Sequence, residues 1–296
     1  MRTDHLALAI AAAATSLALA TPAGAFCRTT TCTENCTVAA DGCTEVGPHA
    51  LALSWPSTCV SFDVHQDASS HVPWGAADTA ARAAFGAWEA AACTTGTLGL
   101  KFQDYGPITC AQHEYNAGQG NANVIVFRDE TWPYAGEANA LALTTVTFNV
   151  DTAEIYDADI EVNGTANITT GMPVGYDLQA ILTHEAGHFL GLAHSPDATA
   201  TMFPRYLAGS TSLRSLAADD VAGACAAYPP RAEPGDCSDA TPRHGFSSEC
   251  AVPPTGKGSC ALRSGPLPAT GWVGVSLLSG LALAVRRRRQ GRSRAN

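Results

Sequence analysis

The sequence predicts an α+β domain, and three observations point to it. A strand-like run, "CVSFDVH" from Cys59 to His65, places Val60, Phe62 and Val64 on one face and leads directly into a segment of helical period. Two further runs in "ALALTTVTFNVDTAEIYDADIEVNG" read as neighbouring strands, Leu143 to Asn149 and Glu154 to Val162. Two helical segments follow late in the chain, one opening at Asp177 and one over "AADDVAGACAAY".

From the start of the chain, "MRTDHLALAIAAAATSLALATPAGA" has Arg2 near its head, an apolar run from Leu6 to Ala20 and the small residues Ala23-Gly24-Ala25. This is the pattern of a secretory signal peptide over residues 1–25, cut before Phe26. Residues 26–50 hold four cysteines in seventeen residues and no long apolar period, so a disulfide-stapled extension is expected. Their spacing does not match paired CxxC ligands. Residues 51–230 carry the elements of the domain itself. In "VPWGAADTAARAAFGAWEAAAC", Ala77, Ala81, Ala84, Phe85, Trp88 and Ala92 recur at three- and four-residue steps, the mark of an amphipathic helix. "LGLKFQDY" and "NANVIVFRD" read as the next strands. Asp177 is placed to cap a helix containing Leu178, Ile181 and Leu182. Asp219 and Asp220 fall in the first turn of the last helix, where its dipole favours carboxylates, and Pro229 and Pro230 stop it. Residues 231–259 are rich in Pro, Gly and Ser and are expected to be a linker.

All eleven cysteines lie after the signal peptide, where export makes disulfides the default. Cys93 with Cys110, and Cys237 with Cys250, are the pairs suggested by position. The carboxylates Asp151, Glu154, Asp157, Asp159 and Glu161, with Asn163, could hold Ca2+, although an edge strand that solvates its outer face explains them more simply.

The chain of 296 residues has a formal net charge of −10, and six of its arginines lie in the last eleven residues, so the remainder stands at −16. An acidic body argues against nucleic acid as a partner. At the C-terminus, Trp272 to Val285 is an apolar run of fourteen residues closed by four arginines, short for a span of about 20 residues. A weak transmembrane segment behind a processing site is the logic of a sorting signal, here residues 260–296, whose partner would be a processing peptidase. "LPATG" resembles the LPxTG motif of sortase substrates, cut after Thr270. Cys260, the apolar run and the arginines also resemble the Cys-type sorting tails of myxobacterial surface proteins.

The chemistry is concentrated in "LTHEAGHFLGLAHSP". His184 and His188 are four residues apart and share one helix face, so both imidazoles can address one ion. Glu185 can reach a water on that ion without binding the metal. Gly191 can take φ > 0, end the helix and swing His194 back toward the same point. Three neutral imidazoles and a water make an open zinc site, which is the catalytic type. The remaining histidines of the mature chain, His49, His65, His71, His113 and His244, show no ligand spacing.

"HEAGHFLGLAH" followed by Met202 resembles the metzincin signature, HExxHxxGxxH with a methionine turn. Ser195, "AFGAWEAAACTTGTLGLKFQDYG" and "LAADDVAGACAAYP" resemble the matrixin branch. Pro204 stands where astacins and serralysins usually carry Tyr. The PRCGxPD cysteine switch and the His-rich structural-zinc loop of many matrixins are absent from the sequence. The resemblance covers about Leu51 to Tyr228. It implies a twisted, mostly parallel sheet with an antiparallel edge strand, an active-site helix and a C-terminal helix. It implies one catalytic Zn2+ on His184, His188 and His194, with Glu185 as general base, Met202 beneath the site, and Pro204 and Tyr206 walling the substrate pocket. The expected protein is a monomeric zinc endopeptidase acting on protein or peptide substrates at the cell surface. A non-catalytic surface or adhesion protein keeping the same fold is the alternative.

Overall fold

The computed structural model describes residues 26–32, 36–38, 43–45, 50–113, 115–231, 237 and 240–249, together with the backbone of 272–278 and 283–286. The elements that matter here are β1 (Cys27–Arg28), β2 (Cys59–Val64), α1 (Trp74–Glu89), β3 (Lys101–Asp104), β4 (Val124–Phe127), β5 (Ala142–Asn149), β6 (Ile155–Val162), α2 (Leu178–Phe189), β7 (Leu192–Ala193), α3 (Ala218–Ala227), β8 (Trp272–Leu278) and β9 (Leu283–Arg286).

Five strands form the domain sheet in the order β5-β6-β4-β2-β3. β6 and β4, β4 and β2, and β2 and β3 pair in parallel, while β5 runs antiparallel to β6. The mostly parallel sheet with an antiparallel outer strand is therefore as expected. α1 and α2 pack against one face of it. The face of α1 is built mainly from Ala77, Ala80, Ala81 and Ala84, whose small side chains let it approach α2 closely, with Phe85 and Trp88 filling the remaining space. Phe85 stacks on Phe62 of β2 at 4.0 Å between ring centroids and meets Phe189 of α2 edge-on at 5.1 Å. The helix ends at Glu89, short of the expected Cys93. Ala92–Cys93 instead pair with Gly96–Thr97 in a small hairpin that Cys93 bonds to Cys225 of α3.

Three readings of the sequence are corrected. β6 is not an edge strand: it lies between β5 and β4, all eight of its residues are buried, and its carboxylates are satisfied from within. Arg128 and the hydroxyl of Tyr134 bind Glu161, the Val124 amide donates to Asp159 at 2.7 Å, and Asp157 and Asp159 hydrogen-bond each other. The disulfides are also different. Cys93 pairs with Cys225 and not Cys110, and Cys237 pairs with Cys59 and not Cys250. Cys110 is itself disulfide-bonded. Finally, the described part of the expected linker is fastened to the domain. Beyond the Cys59–Cys237 bond, Phe246 bridges to Asn121, the Cys110 amide donates to the Ser248 carbonyl, and Ala240 is buried.

Among the described residues no helix is long and apolar enough to cross a membrane. Within the apolar C-terminal run, β8 and β9 form an antiparallel pair, and β8 adds antiparallel to the outer edge of β5. Cys260 and Thr270 lie outside the described residues.

Candidate metal centre

α2 starts where the sequence places it. The Asp177 carboxylate caps the helix by accepting from the Ala180 amide at 2.8 Å, and Arg214 grips the same carboxylate through two nitrogens. Eleven of the twelve helix residues are buried, so the histidines it carries are held in the domain interior. Leu190 caps the far end, the Gly191 amide donates to the His188 carbonyl at 2.8 Å, and Gly191 takes φ +80°. That left-handed turn reverses the chain. It brings His194 back until its Nε2 lies 3.2 Å from Nε2 of His188.

His184, His188 and His194 thus converge, with one nitrogen from each within 4.8 Å of the others. They form the only such group of three among the described residues. His184 Nδ1 donates to the Thr201 carbonyl at 2.6 Å, and His188 Nδ1 donates to the Leu192 carbonyl at 2.9 Å. A carbonyl can only accept, so both rings are fixed with the proton on Nδ1 and the lone pair on Nε2. Nε2 of His184 is buried without a hydrogen-bond partner. Such an orphaned acceptor is costly in a protein interior unless an ion fills its place. Burial holds all three rings neutral: it lowers the pKa of His184 to about 3, that of His194 to about 4, and that of His188 well below its usual value. This donor set fits zinc, and three ligands leave a position open.

Glu185 is fully buried beside the triad. Thr144 of β5 donates its hydroxyl to Glu185 Oε2 at 2.7 Å, and the Tyr206 hydroxyl lies 3.3 Å from Oε1. Tyr206 also packs its ring 5.3 Å from that of His184. Met202 sits buried under the centre, against Gly187. Pro204 is half-buried in the same turn.

The structure adds residues that the sequence reading did not single out for the site. Asp220 accepts from the Thr201, Met202 and Ala217 amides at 2.7, 2.9 and 2.8 Å, so one buried carboxylate ties the methionine turn to the start of α3. Asp219 accepts from Ser195 at 2.7 Å, directly after the third histidine. Trp88 of α1 donates to the Thr183 carbonyl at 2.7 Å, anchoring α2 one residue before His184. The sequence marked Asp219 and Asp220 only as first-turn carboxylates, and nothing near Thr144 or Trp88 signalled a role. The carboxylates of β6 do not form a group able to hold a metal among the described residues.

Comparison with known proteins places this geometry in a family. The Matrixin profile matches residues 54–229. The chain is similar to Metalloendoproteinase 1-MMP of Arabidopsis thaliana, 36% identical over 93 residues, which is 31% of this chain and 24% of that protein. It is similar to neutrophil collagenase of Homo sapiens, 46% identical over 59 residues, 20% of this chain and 13% of the other. Matrix metalloproteinase-20 of Homo sapiens is 46% identical over 57 residues, 19% and 12% of the two chains. The match spans about a quarter or less of the length of these relatives.

Proposed function

The chain belongs to the matrixin family of zinc metalloendopeptidases, and we propose that it is exported, tethered at the cell surface, and cleaves protein substrates with Glu185 as general base. One observation carries the catalytic part. Three neutral imidazoles converge, those of His184 and His188 with the Nε2 lone pair free of a proton, and a buried carboxylate stands beside them without belonging to the set.

The residues that would hold zinc are His184, His188 and His194. When bound there, zinc supplies a Lewis acid that lowers the pKa of water and polarises the scissile carbonyl. Glu185 takes a proton from the attacking water onto its carboxylate and passes it to the leaving amine. The Thr144 hydroxyl holds that carboxylate in place from β5, and Tyr206 approaches its other oxygen. No covalent acyl-enzyme is needed, since the nucleophile is water.

Export is supported by the N-terminal signal pattern and by the four disulfides among the described residues, spread from Cys27 to Cys237. Tethering rests on the C-terminal sorting pattern alone.

Purified protein is expected to cleave casein or gelatin, to stop with a chelator and to recover with zinc. Glu185→Ala should retain zinc and lose activity; undiminished proteolysis in that variant would sink the mechanism. Mass spectrometry of the mature protein tests the two ends: it should begin at Phe26, and its last residue separates processing near Cys260 from cleavage after Thr270.

A further inference from the structure

We propose that the cysteine-stapled N-terminal extension is a brace for the metal centre, and that Thr29 is a positioning residue for the ligand His188. The inference rests on the reading of the three histidines as a zinc site.

The segment between the second and third ligands is held from outside the catalytic domain. β1 pairs antiparallel with β7, setting Cys27 opposite Ala193 and Arg28 opposite Leu192. The Thr29 amide donates to the Gly191 carbonyl at 2.9 Å. Arg28 reaches across to two carbonyls, those of Gly191 and Leu53. The Thr29 carbonyl accepts from the Leu53 amide at 2.8 Å, so the strand is clamped on both sides. Gly191 lies close against the extension's neighbour, with no room for a side chain: a Cβ there would lie 2.6 Å from the Leu53 carbonyl oxygen.

The decisive contact is shared. The Leu192 carbonyl accepts from His188 Nδ1 at 2.9 Å and from the buried Thr29 hydroxyl at 3.1 Å. That carbonyl is the group that fixes the ring and tautomer of His188, and Thr29 fixes the carbonyl. Outer partners of this kind set how tightly a metal is held. Residue 192 is also two positions before His194, so one anchor governs the approach of both ligands.

The extension is therefore a brace and not a thiol latch. Its four cysteines form the bonds Cys27–Cys43 and Cys32–Cys36, which leaves none of them a thiolate to offer the metal. Cys27, whose partner across the strand pair is Ala193, ties the brace to the rest of the extension.

The test uses the mature protein, one zinc per chain, and measures release of zinc to a chromogenic chelator alongside melting of the zinc-loaded and zinc-free forms. Thr29→Val keeps the shape and removes the hydroxyl; it should speed zinc release by about tenfold, the low end of what losing an outer-shell partner costs. Thr29→Ser keeps the hydroxyl and should restore the wild-type rate. Zinc release from Thr29→Val at the wild-type rate, or a loss of melting temperature that is equal with and without zinc while release is unchanged, overturns the proposal. Should Thr29→Val not fold, Arg28→Ala takes its place: faster release supports the brace and an unchanged rate refutes it. Wild-type protein that binds no zinc overturns the zinc reading itself, which a failure confined to the variants does not.

Discussion

Gly187 and Met202 are in contact across the floor of the metal centre: a Cβ on Gly187 would overlap the Met202 sulfur and lie 2.9 Å from Trp88 Cζ2. The glycine between Glu185 and His188 is thus required by packing as well as tolerated by the helix. Gly187→Ala gains about 1 kcal/mol of helix propensity and loses about 1–3 kcal/mol to overpacking in a filled core. The sulfur can yield, but the Trp88 ring is fixed by its bond to Thr183. The expected net result is a lower melting temperature and weaker zinc retention, read by calorimetry and metal analysis. A variant as stable as wild type would mean that Met202 moves aside freely.

Thr144 and Glu185 lie 41 positions apart and share a 2.7 Å hydrogen bond. Thr144→Val removes the donor while preserving shape. Hydrogen bonds to charged groups contribute about 1.5–3 kcal/mol, so kcat should fall by about tenfold or more with zinc content unchanged. Steady-state kinetics with metal analysis checks this, and an unchanged kcat would show that Glu185 is positioned by its other contacts.

These contacts explain what could and could not be read from the sequence. The converging histidine triad was legible because a helix and one glycine turn generate it within eleven residues, from His184 to His194. Asp177 was legible as a cap because capping is local. Thr144, Trp88 and Asp220 reach the site only through tertiary packing, and a threonine in a strand or a tryptophan in a helix carries no local mark of such a role. The alternation of Asp157, Asp159 and Glu161 gave the strand but not its place. Whether an acidic face meets solvent or a covering loop depends on which strands flank it. The pairing of Cys93 failed for the same reason: α3 returns to the hairpin beside α1, so the partner is 132 residues away and not the nearest cysteine.

Asp63 gives a prediction in pH. Its carboxylate is fully buried on β2; desolvation raises its pKa to about 7, opposed by a hydrogen bond from the Tyr105 amide and reinforced by Asp104. The folded-state pKa lies above the unfolded value of about 4, so the native state binds the extra proton between the two. Stability due to this group therefore falls as pH rises from about 4 to about 7 and stays low above that. Asp63→Asn keeps an oxygen for the Tyr105 amide and carries no charge. It should melt higher than wild type at pH 8 and alike at pH 4, measured on zinc-free protein so that acid release of the metal does not intrude. An equal difference at both pH values would show that Asp63 ionises without cost.

Tyr206 was expected as a pocket wall, and the structure adds a polar contact: its hydroxyl lies 3.3 Å from Glu185 Oε1. Desolvation by burial, and after it the facing Glu185 carboxylate, keep the phenol protonated, so it is the donor. Wall and donor are separable, because phenylalanine preserves the ring. If the hydroxyl helps to hold Glu185 for proton transfer, Tyr206→Phe lowers kcat several-fold and leaves KM near wild type, since a hydrogen bond to a charged group contributes about 1.5–3 kcal/mol at good geometry and less at this longer distance. Tyr206→Ala removes the wall as well and should raise KM and broaden the choice of side chain at the cleaved bond. Measuring kcat and KM for both variants on a peptide series distinguishes the roles: a Phe variant with wild-type kcat confines Tyr206 to the wall, and an Ala variant with unchanged KM removes it from the pocket.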